Sequence, residues 1–243
     1  MTMLVFAGKR VGASLLSYLI GLGEEIALVV VGTAADREIL QLCSQARVAH
    51  EVFSKPLCAR LTEEGREHHW LLNLWSPHLL PGNILGLADK RLNLHPSLVP
   101  FNRGSDSTAW ILRNGEPAGV SLIEMTEALD EGGVYAQKLL EVKFPTRGLD
   151  LHTRLQDEMI ALFESAWPKI KSGELPPVPQ RPGGSYYRRK ETNADRVRDG
   201  ASTATLRDTL CWMLAHDFAP GTTAEAVIDG QKYRVRLEFE KVT

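Results

Sequence analysis

Residues 91–133, RLNLHPSLVPFNRGSDSTAWILRNGEPAGVSLIEMTEALDEGG, carry the reading on which the rest of the chain depends. Arg91 to His95 alternate polar and apolar, the period of a strand, so Asn93 and His95 share a face. Pro96 has no N–H to give a ladder and Pro100 stiffens the loop beyond it, so an amide and an imidazole are expected to emerge side by side where that strand stops. Gly119 to Met125 reads as another strand, and the loop after it brings Asp130 to the Gly132-Gly133 turn. Taken singly, each group has an ordinary structural use in a turn or at a strand end. Together, amide, imidazole and carboxylate can hold a developing oxyanion, move a proton and orient the ring.

Upstream, Met3 to Ala7 is a short apolar run ending at Gly8, and Glu25 to Val31 is almost wholly apolar, as expected of strands covered on both faces. Val48–Phe53 reads as a weaker strand and Trp70–Trp75 as a stronger one. Between them, Val11–Leu22 carries a helical stripe at Val11, Leu15, Leu19 and Leu22, and Ala35–Ala46 one at Ile39, Leu42 and Ala46. Strands alternating with helices predict an α/β fold with a mostly parallel sheet. Gly8-Lys9-Arg10-Val11-Gly12 is neither a G-x-G-x-x-G fingerprint nor a P-loop, so nothing local supports a nicotinamide or ATP site. Lys9 and Arg10 nevertheless sit at a strand-to-helix junction, where open α/β sheets bind ligands. A contact to a substrate phosphate and a solvated pair both stay open for them.

Downstream, Ser107–Asn114 is a short helix, Val134–Val142 a strand paired with the Gly119 strand, and Leu149–Ile170 a helix with a core stripe. The Pro176-Pro177-Val178-Pro179 run marks a boundary. Residues 181–198 then gather Arg181, Arg188, Arg189, Lys190, Arg196 and Arg198 around Tyr186 and Tyr187. Such interleaving grips a nucleotide through phosphate contacts and ring stacking, or is simply a solvated linker. The tail reads as a helix over Ala204–Ala215 and a hairpin over Glu225–Phe239 about Asp229-Gly230. The predicted organisation is a domain over 1–178, a linker or substrate-contacting segment over 179–200, and a small helix-hairpin module over 201–243.

The 243 residues are 44% hydrophobic with a formal charge of −2, enough for a sizeable core and without the basic excess of a nucleic-acid binder. Cys43, Cys58 and Cys211 form no C-x-x-C pair, which predicts free thiols in a reducing cytoplasm rather than disulfides or a zinc site. His68 and His69 are adjacent and do not share a site face, so no metal is expected. No apolar run approaches the ~20 residues of a bilayer span, and residues 1–8 lack a signal-peptide pattern. A cytoplasmic protein without membrane contact is expected.

The motifs carry a resemblance. Asn93-Leu94-His95-Pro96-Ser97-Leu98-Val99-Pro100, then Arg103-Gly104, Gly119-Val120-Ser121-Leu122 and Leu129-Asp130-Glu131-Gly132 resemble the signature of the formyltransferases that use 10-formyltetrahydrofolate. That signature is roughly N-x-H-P-S-L-L-P, a G-V-T strand and a loop ending D-x-G. Val99 stands for a usual Leu and Ser121 for a usual Thr, and neither change removes a reacting group. The resemblance implies a Rossmann-like formyltransferase domain with a small C-terminal hairpin module, N10-formyltetrahydrofolate as donor, and Asn93, His95 and Asp130 as catalytic residues. It implies a pteridine slot lined by Pro77, Leu79, Leu80 and Pro81 of the loop after Trp75, with Glu127 and Leu129 from the Asp130 loop. His78 lies in the same loop but is not required by the motif.

Pro100-Phe101-Asn102-Arg103-Gly104 is similar to the P-Y-N-R-G of the sugar-nucleotide N-formyltransferases, and Gly184 to Lys190 looks like the segment closing the core in that group. The implied acceptor is an amino-deoxysugar on a nucleoside diphosphate (dTDP, UDP or GDP), made for surface polysaccharide such as O-antigen. Lys9, Arg10, Ser97, Asn102, Arg103, Gly104, Tyr186, Tyr187 and Arg188 are its implied contacts. Other readings stay open. A methionyl-tRNA formyltransferase carries a longer C-terminal domain and a basic face, a glycinamide ribonucleotide transformylase ends near the long helix, and a formyltetrahydrofolate hydrolase carries an N-terminal regulatory domain. An amino-acid acceptor or a non-catalytic folate- or nucleotide-binding module completes the set. No nucleic-acid partner is expected. The late hairpin either pairs with a second copy or is covered within one chain.

Overall fold

Five residues, MLVFA, build β1 (Met3–Ala7), and all five are fully buried because the strand lies inside a sheet. In the computed structural model, which describes residues 2–240 and 242, β1 is followed by α1 (Lys9–Gly21), β2 (Ile26–Val31), α2 (Arg37–Ala46), β3 (His50–Val52) and α3 (Lys55–Glu64). β4 (His68–Leu74), α4 (Gly82–Leu85), β5 (Ala88–His95), β6 (Arg103–Gly104), α5 (Ser107–Asn114), β7 (Ala118–Ile123), β8 (Val134–Leu140) and α6 (Gly148–Ser172) come next. The remaining elements are β9 (Tyr186–Tyr187), α7 (Arg189–Asp195), β10 (Val197–Asp199), α8 (Leu206–Ala215), β11 (Ala224–Ile228) and β12 (Gln231–Val235). The chain divides into two compact units, the first running through His95 and continuing over Ser121–Gln137 and Asp157–Gln180. The second takes Pro96–Val120, Lys138–Gln156 and the chain from Arg181. β7, β8 and α6 contribute residues to each.

The main sheet has the order β3-β2-β1-β4-β5-β7-β8. Pairing is parallel from β3 to β5, as the alternation predicts, and β7 then runs antiparallel to β5 with Asn93 opposite Ile123, Leu94 opposite Leu122 and His95 opposite Ser121. Chain order reverses between β1 and β4, and such switch points open a crevice at the carboxyl ends of the strands. Here those ends lead into Gly8-Lys9 and into the Trp75–Pro81 loop. The first unit's core includes Trp70 and Trp167, packed edge to face at 5.2 Å, with Phe163 stacked on Trp167 at 5.4 Å. Trp167 donates its indole N–H to Glu24, which Lys171 also holds at 2.6 Å, so the buried indole is satisfied.

α3 falls outside the apolar-stripe predictions. The Ser54 side chain accepts from Leu57 N–H and Pro56 stands in the first turn, both common at helix starts. Only Leu57, Cys58 and Leu61 of its ten residues are buried.

In the second unit, β11 and β12 form the predicted hairpin, closed by Asp229 and Gly230 at φ +51° and +75°. It stops at Val235 rather than running to Phe239, because β11 begins at Ala224 and Val235 is the last residue with a partner. Phe239 instead meets Phe144 edge to face at 5.3 Å. β10 joins β11 in parallel, so part of the basic segment completes the tail sheet.

Candidate functional site

In the first unit, β5 carries Asn93 and His95 to the point where the parallel sheet ends, as the alternation predicts. Asp130 reaches them from the loop after β7, with its backbone in the left-handed region at φ +56°. Its Oδ1 lies 3.5 Å from Asn93 Nδ2 and its Oδ2 3.6 Å from His95 Nδ1. The imidazole and carboxylate side chains are 5% and 6% exposed, so the pair is held in a setting of low dielectric. One carboxylate thus faces both the amide, at the limit of hydrogen-bond reach, and the ring, just beyond it.

The loop is closed by Glu124 N–H donating to Gly133 C=O at 2.7 Å, and Gly132 is forced by close approach. A Cβ on Gly132 would fall 2.0 Å from the Glu124 carbonyl oxygen. Gln180 anchors the same loop, its Nε2 donating to the Asp130 and Gly132 carbonyls at 2.7 and 2.9 Å. Sequence reading does not find Gln180, which comes just after a proline run that looks like a boundary.

Around the switch point, Lys9 has φ +53°, and Asp36 accepts from its N–H at 3.1 Å and from Thr33 N–H at 3.1 Å. Asp36 therefore organises the first strand-to-helix turn, a role signalled only by its short spacing from Thr33. Arg10 is ion-paired with Asp157 at 2.7 Å. In the Trp75–Pro81 loop, Leu80 packs on the core, Leu79 is 75% exposed, Pro77 is exposed and Pro81 caps α4. Glu127 brings its carboxylate against Gly82, and Leu129 is 39% exposed. His78 stacks on Phe53 at 3.6 Å and donates from Nε2 to Gly32 C=O at 2.8 Å, a structural role consistent with the motif not needing it.

The second unit gathers the other predicted positions. Ser97 donates to Phe101 C=O at 2.7 Å, and Asn102 N–H donates to Ser185 Oγ at 2.8 Å. β6 pairs with β9, placing Arg103 opposite Tyr186 and Gly104 opposite Tyr187. Gly104 sits at φ +89° with the Tyr187 carbonyl only 2.2 Å from where a Cβ would be, so no other residue fits. Tyr187 stacks on Trp110 at 4.2 Å and donates to Glu116 at 3.0 Å, and burial, with that carboxylate second, pushes its phenol above the ordinary value. Tyr186 is 43% exposed and Arg188 is exposed.

The basic segment divides. Arg198 pairs with Asp208 at 2.8 Å and lies over Trp212 at 4.8 Å, while Arg196 pairs with Glu225 at 2.6 Å. Those two cations hold the tail to its neighbours; Arg181, Arg188 and Lys190 remain exposed. A cleft of 520 Å³ in this unit, lined by Arg113, Lys143, Phe144, Arg207 and Cys211 among others, contains none of the predicted site residues. That cleft lacks the amide–imidazole–carboxylate set. Among the described residues, no group of three His, Cys, Asp or Glu side chains is placed to hold a metal ion, and no helix is long and apolar enough to cross a membrane.

A mostly parallel sheet with an amide and an imidazole at a strand end, facing one carboxylate, is the framework of an α/β group-transfer enzyme. Residues 27–166, more than half of the chain, match the Formyl transferase family, and the chain belongs to that family. The fold is similar over 100% of the chain to a sugar N-formyltransferase from Shewanella sp FDAARGOS_354, with 19% identity, a TM-score of 0.83 and 99% of that chain covered. A 4-N formyltransferase from Francisella tularensis matches 99% of this chain and 98% of its own, at 20% identity and TM-score 0.85. The formyltransferase PseJ from Anoxybacillus kamchatkensis, solved with UDP-4,6-dideoxy-4-formamido-L-AltNAc and tetrahydrofolate, matches 80% of this chain and 89% of its own at 19% identity and TM-score 0.60.

Proposed function

We propose that this protein transfers a formyl group from N10-formyltetrahydrofolate to the primary amine of an amino-deoxysugar carried on a nucleoside diphosphate, a step in making surface polysaccharide. The observation that carries the reading is the division of the two Asp130 oxygens between Asn93 and His95, within the segment that matches the family. Support for the acceptor comes from the similarity to sugar N-formyltransferases along the whole chain and from the UDP-formamido sugar and tetrahydrofolate bound by PseJ.

In this reading the amine nitrogen attacks the formyl carbon, a C–N bond forms and the carbonyl oxygen takes the negative charge. Asn93 donates an N–H to that oxygen, a contact made fully only in the tetrahedral intermediate. Asp130 and His95 receive the proton the amine gives up. Collapse breaks the bond to N10, which takes a proton in return, so tetrahydrofolate leaves neutral at that nitrogen. Pro77, Leu79, Leu80, Pro81 and Leu129 supply apolar surface for the pteridine, with Glu127 as a polar contact beside it. Lys9, Arg10, Ser97, Asn102, Arg103, Gly104, Tyr186, Tyr187 and Arg188 serve the sugar nucleotide, whose carrier is UDP, dTDP or GDP. The exposed edge of β12 is where a second copy would pair, which the mass in solution tests.

The test supplies 10-formyltetrahydrofolate with a panel of dTDP-, UDP- and GDP-amino-sugars and tracks tetrahydrofolate together with a product heavier by one formyl group. Turnover with one sugar nucleotide is expected. Tetrahydrofolate release without formylated product would instead assign a hydrolase, and silence across the panel would remove the sugar acceptor.

A further inference from the structure

We infer that Gln180 is a positioning residue that sets the catalytic loop, and that the proline-rich segment before it is a strap rather than a spacer. The inference rests on the proposed formyl transfer and extends it to a residue the motif does not contain. Val178 exchanges both backbone hydrogen bonds with Val134, at 2.7 and 2.9 Å, so the segment returns to the strand just past the Asp130 loop. Pro177 lies against Gly133, where an added Cβ would meet its side chain at 2.9 Å. Two residues beyond Val178, Gln180 Nε2 reaches the carbonyls of Asp130 and Gly132, at 2.7 and 2.9 Å.

The orientation of that amide is dictated by its partners. Turned over, its oxygen would face two carbonyl oxygens, so the NH₂ must point at the loop. Its Oε1 is buried with no hydrogen-bond partner among the described residues. The side chain is thus committed at its donor end, even though its acceptor end gains nothing. What it holds is a left-handed turn at Asp130, φ +56°, a region uncommon for non-glycine residues that Asp tolerates better than most.

The geometry of the reacting groups makes this matter. Asp130 stands 3.5 Å from Asn93 Nδ2 and 3.6 Å from His95 Nδ1, so further withdrawal separates the carboxylate from both at once. Misplacement of a reacting group by about 1 Å costs on the order of 100-fold in rate. Removal of Gln180 leaves the carbonyls of Asp130 and Gly132 without this donor, and the turn relaxes away from β5. Substrates still bind, because Pro77, Leu79, Leu80 and Pro81 of the proposed folate surface and every group proposed for the sugar nucleotide lie outside this loop; only Glu127 and Leu129 of the folate contacts belong to it.

The experiment uses the full chain with Gln180→Leu, which keeps the bulk and removes the donor, and Gln180→Asn, which keeps the amide on a shorter arm. Formyl transfer is measured with the sugar nucleotide the wild type accepts, and amide hydrogen exchange is monitored over residues 125–133. Expected for Gln180→Leu is a kcat lower by at least about tenfold, with KM for the sugar nucleotide within about twofold and faster exchange in that segment. Gln180→Asn should fall between Gln180→Leu and wild type in both readouts. A folded Gln180→Leu with kcat within about twofold of wild type, or one whose loss appears in KM alone, overturns the inference. If Gln180→Leu does not fold, the same limits apply to Gln180→Asn. A wild type without turnover refutes the proposed reaction and not the strap; unchanged exchange in the folded variants then overturns the strap itself.

Discussion

Gly132→Ala gives the sharpest test of how the carboxylate is placed, because the outcome is set by one distance. An alanine Cβ at this position would lie 2.0 Å from the Glu124 carbonyl oxygen and 2.8 Å from its carbon. Both neighbours are backbone, at the end of β7, so no rotamer change relieves the contact. The loop must withdraw from Glu124 by about 1 Å or more to reach ordinary contact, and groups misplaced on that scale lose on the order of 100-fold in rate. Two anchors are strained by the same movement: Glu124 N–H to Gly133 C=O at 2.7 Å, and Gln180 to the Gly132 carbonyl at 2.9 Å. Asp130 travels with the loop, away from Asn93 and His95. The expected result is a kcat reduced by about 100-fold, which corresponds to about 2.7 kcal/mol of barrier.

Steady-state formyl transfer, normalised to folded protein and paired with tetrahydrofolate binding by calorimetry, measures this. Binding should weaken far less than kcat, since only Glu127 and Leu129 of the proposed folate contacts lie in the moving loop and the main loss is in the transition state. The variant should also melt lower, within the usual range of about 1–3 kcal/mol for a steric fault next to a core strand. An alanine variant with normal kcat and an unchanged melting temperature would refute the reasoning, because the loop would then be pliant enough to accept the methyl without moving Asp130.

Asn93→Ala removes the proposed oxyanion donor and should lower kcat by about 10²–10³-fold while tetrahydrofolate binding stays the same. Arg198→Ala should lower the melting temperature, because it leaves Asp208 without its 2.8 Å partner, and should leave KM for the sugar nucleotide unchanged; Arg188→Ala should raise that KM and spare stability. Burial alone would raise the Asp195 carboxyl, but its hydrogen bond with His216 and the charge of Arg113 outweigh burial and hold it below the ordinary value. Its stabilising contribution is therefore complete above the unfolded-state value near 3.9 and is lost as pH falls through the lower native value, so melting curves should drop steeply below about pH 4 and less so in Asp195→Asn. Burial pushes the Cys43 thiol up to about 11 and raises Cys58 as well, so alkylation of the native protein at pH 8 should label the partly exposed Cys211 first, read by mass spectrometry of peptides.

Much of the fold is legible because the strands that matter are buried on both faces. Leu4, Val5 and Phe6, like Val29 to Val31, have no exposed side, so an uninterrupted apolar run is the only pattern they can have. The ends of elements are less legible: Glu25 and Trp75 fall within the runs read as strands yet lie outside β2 and β4, since backbone pairing and not side-chain type ends a strand. β6 with β9 is beyond local reading altogether, because each strand has two residues and their partner is far along the chain. Asn93, His95 and Asp130 are legible through a motif, whereas groups that shape the loops around them and around the switch point are not. Gln180 and Asp36 act through backbone carbonyls and N–H groups, and such contacts leave little trace in residue pattern.

The described residues also contain two other histidine–carboxylate pairs, His69 with Asp89 at 3.3 Å and His216 with Asp195, and the latter shows why distance by itself would not select the proposed site. His216 Nε2 lies 2.8 Å from Asp195 Oδ2, closer than His95 to Asp130 at 3.6 Å. Asp195 is also held by Arg113, whose other bond goes to Asp208, and Asp208 is in turn held by Arg198. Arg113 and Asp208 line the 520 Å³ cleft, so charge, burial and cavity all coincide there. Yet every strong partner in that network is already engaged with an opposite charge, which is the state of a structural lock: a proton taken up or released would cost the network its balance. At Asp130 the carboxylate oxygens lie 3.5 Å from an amide and 3.6 Å from a ring. In the proposed reaction these distances shorten as substrate binds, because hydrogen bonds between reacting groups are often long before then.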